Sequence, residues 1–155
     1  NTSVKFRTDV ASMCKLGFDI GLKDMTADEL AYCQDAVANW KRLQPAIMDG
    51  DQYRLVSPYE TNHMAVNYVS KDQKKAVLFA YDVYPRFQEK LINVKLQGLD
   101  PNKTYKVEEI NLMPGVDSAL KSNGQTYTGD YLMKVGIEVF GFAATQSHVL
   151  ELTAM

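Results

Sequence analysis

Leu96-Gln97-Gly98-Leu99-Asp100-Pro101-Asn102-Lys103-Thr104-Tyr105-Lys106-Val107 reads as a strand, a tight turn and a second strand. Upstream of the turn, Ile92, Val94 and Leu96 alternate with Asn93, Lys95 and Gln97, the period of a strand with one wet face. In the turn itself, Pro101 presets φ and Asn102 tolerates unusual backbone angles. Beyond it, Tyr105 and Val107 alternate with Lys106 and Glu108. The next informative stretch is Thr128-Gly129-Asp130-Tyr131-Leu132-Met133-Lys134-Val135-Gly136. It reads as one capped turn of helix. Thr128 or Asp130 supplies the cap, Leu132 and Met133 face inward, and Gly136 lets the chain leave.

Further out, the strand pattern recurs. Tyr53-Arg54-Leu55-Val56 stops at Ser57-Pro58, and Met64 to Val69 closes at Ser70-Lys71-Asp72. Ala76-Val77-Leu78-Phe79-Ala80-Tyr81 is apolar on both alternating sets, as a central strand covered on both faces would be. His148 to Thr153 supplies a last strand. Short strands separated by turn signals predict a mainly β fold, an antiparallel β-sandwich over residues 51–155.

Residues 1–50 have a different pattern. Val4 to Ile20 shows no clean period and reads as a strand or a helix end, with a turn at Gly17. Thr26-Ala27-Asp28-Glu29 fits a capping box, and Met25 and Leu30 fit a hydrophobic staple. Leu30, Cys33, Val37, Trp40, Leu43 (or Gln44) and Ile47 then recur at helical spacing. Pro45 predicts a late bend, and Asp49-Gly50-Asp51 ends the helix. The length of this stripe predicts a packing partner outside the sandwich.

The composition, 155 residues with 46% apolar and 23% charged, is that of one globular domain with a real core. A net charge of -2 gives no electrostatic case for nucleic acid or an anionic membrane. No stretch approaches the ~18 apolar residues that a membrane span needs. Cys14 and Cys33 form no Cys-x-x-Cys site and can pair or stay reduced, so they leave the compartment open between cytoplasm and periplasm. The chain opens on Asn1, directly before an apolar stretch, which reads as a piece of a longer chain in preference to a processed precursor.

No side-chain constellation in the sequence specifies a catalytic, metal or cofactor site. Asp49 and Asp51 flank a glycine and read as a plain turn, since a metal needs more convergent ligands. Glu108 and Glu109 are adjacent in a strand, point to opposite faces and cannot form a dyad. His63 and His148 lack metal-ligand spacing and read as surface or satisfied core histidines. Cys14 reads as a buried small residue, and Trp40 as part of the helix stripe. Asn102-Lys103-Thr104 and Asn1-Thr2-Ser3 match the short glycosylation pattern. Tyr81, Tyr84 and Phe87 flank Pro85-Arg86. Rings and an arginine suit a sugar face; the competing reading puts Tyr81 in the core and residues 84–87 against a neighbouring domain.

Five blocks in order resemble the C-terminal region of family 36 α-galactosidases, which are melibiase-type glycoside hydrolases. Ala11-Ser12-Met13-Cys14-Lys15-Leu16-Gly17-Phe18-Asp19-Ile20 is similar to the last strand of the catalytic barrel and its exit. Met25-Thr26-Ala27-Asp28-Glu29 resembles the start of the final barrel helix. Gly50-Asp51-Gln52-Tyr53-Arg54-Leu55-Val56-Ser57-Pro58 resembles the junction with the C-terminal sandwich. The Gly-Leu-Asp-Pro and Tyr-Thr-Gly-Asp-Tyr-Leu-Met segments complete the series.

The resemblance implies residues 1–50 as the last strand and helix of a (β/α)8 barrel and residues 51–155 as the sandwich. It implies a parent that hydrolyses terminal α-linked galactose with retention. In the family both catalytic aspartates lie in the barrel, upstream of the segment matching Asn1, so no catalytic residue is transferred and Asp19 is not the acid/base. The partners implied are the barrel of the same chain and, through it, galactosides; homo-oligomer contacts are open. A carbohydrate-binding accessory module is the alternative reading.

Overall fold

The computed structural model describes residues 2–19 and 21–155. Six antiparallel strands form one sheet: β1 Asp51–Val56, β2 His63–Val69, β3 Lys75–Asp82, β4 Thr104–Ile110, β5 Thr126–Thr128 and β6 Gln146–Ala154. Their spatial order is β1-β2-β3-β6-β4-β5, so the last strand in sequence lies inside the sheet between β3 and β4. Three α-helices accompany it, α1 Val4–Ser12, α2 Ala27–Met48 and α3 Gly129–Lys134. None of the helices described is long and apolar enough to cross a membrane.

The period of two in the strands sorts side chains to two faces. Ala65, Val69, Ala76, Leu78, Ala80, Tyr105, Val107, Leu150 and Leu152 form one core with Leu96, Leu99, Leu132 and Val139 from the chain that crosses over them. Val66, Tyr68, Val77, Phe79, Tyr81 and Val149 form the other core, with Leu43, Ala46 and Ile47 of α2. This is why β3 is apolar at successive positions: both of its faces are covered.

The two stretches quoted at the outset pack on each other. Gly129 N–H donates to the carbonyl of Lys103 at 2.9 Å, and Asp130 N–H to that of Pro101 at 3.3 Å. A Cβ on Gly129 would lie 2.1 Å from the Asp100 carbonyl oxygen, so the approach requires glycine. Of the two caps the sequence offers, Thr128 is the one that closes α3, accepting from Tyr131 N–H, and Gly136 leaves it at φ +78°.

Several expectations change. Ala11 to Ile20 was expected as a barrel strand; Ala11 and Ser12 instead close α1, residues 13–19 form no strand, and Ile20 lies outside the described residues. Ser3 caps α1, and Val4, Thr8 and Ser12 are buried at a spacing of four, which is a helical face. A helix satisfies its backbone internally, and no described strand offers this segment a ladder. Ile92 to Gln97 makes one isolated bridge, Val94 to Ile137, in place of a full strand. The Asn67 side chain holds it down, donating to the Gln97 carbonyl at 2.9 Å and accepting from Gln97 N–H at 3.3 Å.

α2 opens with the expected capping box, Thr26 and Glu29 each accepting from the other's backbone N–H. It runs on through Pro45 to Met48. The later part of its stripe, Leu43, Ala46 and Ile47, packs on the sheet of this same chain, while Tyr32, Cys33 and Ala36 pack with Val4 of α1. The stripe is also rotated from the expected one: Tyr32, Ala36 and Ala46 are buried, while Leu30 is 38% exposed.

Candidate functional site

Two groups of polar side chains are built by the sheet register. The first lies at the end of the sheet where β2 begins and β3 ends. His63 and Asp82 are directly opposed across these strands. His63 Nδ1 lies 2.7 Å from Asp82 Oδ1, with both side chains buried. Gly141 N–H donates to Asp82 Oδ2 at 2.9 Å, and the Phe140 ring stacks on the imidazole at a centroid distance of 4.5 Å. Burial raises the Asp82 carboxyl above its ordinary value, and the Gly141 and His63 hydrogen bonds only partly offset this.

The chain on either side of this pair forms an open cleft of about 460 Å³, lined by residues 58–62 and 86–89. Glu89 lies across it, 3.9 Å from His63 Nε2. Asn62 donates to both Glu89 oxygens, at 3.3 and 3.2 Å, and Arg86 N–H donates to Oε2 at 2.9 Å. The Arg86 N–H bond is the largest influence and lowers the Glu89 carboxyl; burial opposes it, and the Asn62 bond adds to the lowering. Tyr59 and Phe87 on the rim are 98% and 93% exposed, and neighbouring Tyr84 is 72% exposed.

The second group joins the helices to the sheet. Asp9 of α1 is fully buried and accepts from Lys5 at 2.6 Å, Tyr32 at 3.1 Å, Asn111 at 2.9 Å and Ser147 at 2.7 Å. Tyr81 donates to the Asp9 backbone carbonyl at 2.8 Å. Burial and the Asp9 charge push the Tyr32 hydroxyl far up, so it stays protonated as a donor. Next to this, Glu109 lies 2.6 Å from His148 Nδ1 and accepts from Ser118. Burial raises the Glu109 carboxyl, but the His148 and Ser118 bonds outweigh it and the net direction is down. Glu151 behaves alike: burial is overcome by Arg42 and Lys75.

In both groups the buried carboxylates are engaged by donors of the fold. The Ser118 hydroxyl sits on the Glu109 carboxylate and not on the His148 imidazole. His63 Nε2 is buried without a hydrogen-bond partner. Among the described residues, no three His, Cys, Asp or Glu side chains gather as metal ligands.

The residues singled out from sequence are dispersed. Asp49 caps the end of α2, and Asp51 pairs with Lys71 in β1. Glu108 is exposed beside Lys106 while Glu109 is buried, on opposite faces as expected. Cys14 is exposed, a correction, because α1 ends before it; Cys33 is buried and both are free. Trp40 donates to the Cys14 carbonyl at 2.9 Å and packs on the α2 side of the sheet. Tyr81 is core, whereas Tyr84 and Phe87 are exposed. Asn102 donates its N–H to Asp100 in the turn, Asp19 is exposed, and Asn1 lies outside the described residues. Sequence reasoning missed the acid partners of both histidines. The signal was available only through register: Asp82 opposes His63, and Glu109 opposes Leu150, two residues along from His148.

Comparison with known proteins gives a consistent match. The family model for the glycosyl hydrolase family 36 C-terminal domain matches residues 63–152. A probable alpha-galactosidase C from Aspergillus flavus is 34% identical over 136 residues, 87% of this chain and 16% of that protein. The crystal structure of the GH36 alpha-galactosidase AgaB from Geobacillus stearothermophilus superposes with a TM-score of 0.84 at 28% identity, covering 100% of this chain and 20% of that one. The alpha-galactosidase from Lactobacillus brevis superposes with a TM-score of 0.79 at 27% identity, covering 99% of this chain and 20% of that one. The chain thus spans a fifth or less of the length of these relatives.

Proposed function

The chain belongs to the glycosyl hydrolase family 36 C-terminal domains, and from that premise we propose that it is the C-terminal, non-catalytic part of an α-galactosidase. The intact parent hydrolyses terminal non-reducing α-galactosides with retention. The observation that carries the proposal is the family match over residues 63–152, which takes in β2, β3, β4, β5, α3 and most of β6.

In this reading residues 1–50 are the tail of the catalytic barrel and residues 51–155 the accompanying β domain. The seam around Asp9 supports this division of labour, because it ties α1 and α2 to the strands through buried hydrogen bonds. Retaining hydrolysis needs two carboxyl groups about 5 Å apart on either side of the glycosidic bond. The buried carboxylates Asp9, Asp82, Glu109 and Glu151 are each engaged by donors of the fold, so they serve packing and not proton transfer to a substrate.

The test is hydrolysis of a chromogenic α-galactoside by this chain and by a full-length parent, side by side. An active parent and an inert chain is the expected result. Turnover by this chain alone overturns the proposal.

A further inference from the structure

We propose that the cleft between residues 58–62 and 86–89 binds a galactose-containing oligosaccharide, with Tyr59 and Phe87 as ring platforms and Arg86, Glu60 and Glu89 as hydroxyl partners. The substrate class rests on the function proposed above; the cleft itself rests on its own geometry. Burying a phenylalanine side chain is worth about 1.5–3 kcal/mol, and in this chain Phe87 is 93% and Tyr59 98% exposed, so both rings are open to stack on a ligand.

The space between the rings is polar. Glu60, Thr61, Asn62, Arg86, Gln88 and Glu89 all line it. This argues against an apolar protein surface as occupant and for a molecule with both a C–H face and a dense set of hydroxyls, which is a pyranose. A galactopyranose presents a face of C–H groups to a ring, and its vicinal hydroxyls suit planar forked groups such as guanidinium and carboxylate. Concave sites of about 300–1,000 Å³ hold small ligands, and the cleft volume of about 460 Å³ suits one or two sugar rings.

The site is also held in shape before any ligand arrives. Both Glu89 oxygens are fixed by Asn62, and the backbone N–H of Arg86 closes the loop onto the same carboxylate. Gln88 adopts a left-handed backbone at φ 60°, as Gln73, Asn111 and Thr145 also do, and turns the 86–89 loop. Beneath lies His63, whose buried, unpartnered Nε2 is 3.9 Å from Glu89 Oε2. Among the described residues, no hydrogen bond or ion pair engages the side chains of Arg86 or Glu60, which leaves their polar ends available.

Saturation-transfer NMR on the whole chain with melibiose, and with maltose as the glucose-only comparison, tests the site. The expected result is transfer to the galactosyl ring at an affinity of about 1 mM, weakened about tenfold by Tyr59→Ala or Phe87→Ala. Both rings are solvent-exposed, so an unchanged melting temperature establishes that the variants fold. No transfer from melibiose overturns the proposal. So does equal transfer from maltose, or transfer that survives the double variant. A concentration-dependent dimer that Phe87→Ala abolishes, with no sugar binding, makes the surface a contact between copies and also overturns it. Hydrolysis by the parent is read separately: an active parent beside a chain that ignores melibiose removes the cleft alone, and an inactive parent beside a chain that binds melibiose removes the enzymatic reading alone.

Discussion

Asp9 shows how much one buried charge can organise. Four side-chain donors, from α1, α2, β6 and the residue that follows β4, converge on its carboxylate. Replacing it with alanine strips all four at once, and breaking a buried pair in this way costs about 3–5 kcal/mol. Asp9→Ala is therefore expected to lose about that much stability in urea denaturation, with loosening concentrated in α1. Equal stability of variant and parent chain would contradict the convergence.

Glu109 and Glu151 set the acid limit of the fold. Their folded carboxyls are more acidic than unfolded ones, so the unfolded chain binds protons more readily as the pH falls. The stability they contribute is complete above an ordinary carboxylate value of about 4.3 and is lost as the pH drops through their depressed values. Asp82 runs the other way, because its raised value means that protonation relieves a cost as the pH falls. Glu151→Gln is expected to lower stability at neutral pH and to flatten the acid limb, read from melting temperature against pH. A variant as acid-sensitive as the parent chain would remove Glu151 from this role. None of these pairings was legible in the sequence. His63 and Asp82, or Glu109 and His148, become neighbours only once the strand register is known.

Among the elements, those with strong local signals read correctly. The capping box of α2, the apolar run of β3 and the cap-to-glycine span of α3 each declared themselves. α1 did not, because its buried face mixes Val4 with Thr8, Asp9 and Ser12, and a polar seam has no hydrophobic period. The 92–97 segment misled in the opposite way. It has the alternation of a strand, yet its neighbours are Asn67, α3 and a single bridge.

Two substitutions test how α3 is seated. Thr128→Ala removes the cap and is expected to cost about 1 kcal/mol in thermal unfolding. Gly129→Ala places a methyl against the Asp100 carbonyl and is expected to cost more, about 1–3 kcal/mol, because backbone on both sides must shift. If the two variants melt together, the close approach at Gly129 is not what fixes α3 on the turn.

For the molecule as a whole, the position of β6 is decisive. It pairs with β3 along one edge and with β4 along the other, so among the described residues β1-β2-β3 and β4-β5 are joined into one sheet only through it. Removing residues 146–155 is expected to abolish cooperative unfolding by circular dichroism rather than merely lower its midpoint. The antiparallel β class was legible from strand count and turn spacing, but this order was not. Nothing local in His148 to Thr153 distinguishes an inner strand from an edge. The same order has a consequence during biosynthesis. A ribosome releases β3 and β4 well before β6, and at about 10 residues per second their facing edges stand open for several seconds. Open strand edges are templates for pairing between nascent chains, so in this interval the sheet is exposed to mispairing that β6 later closes off.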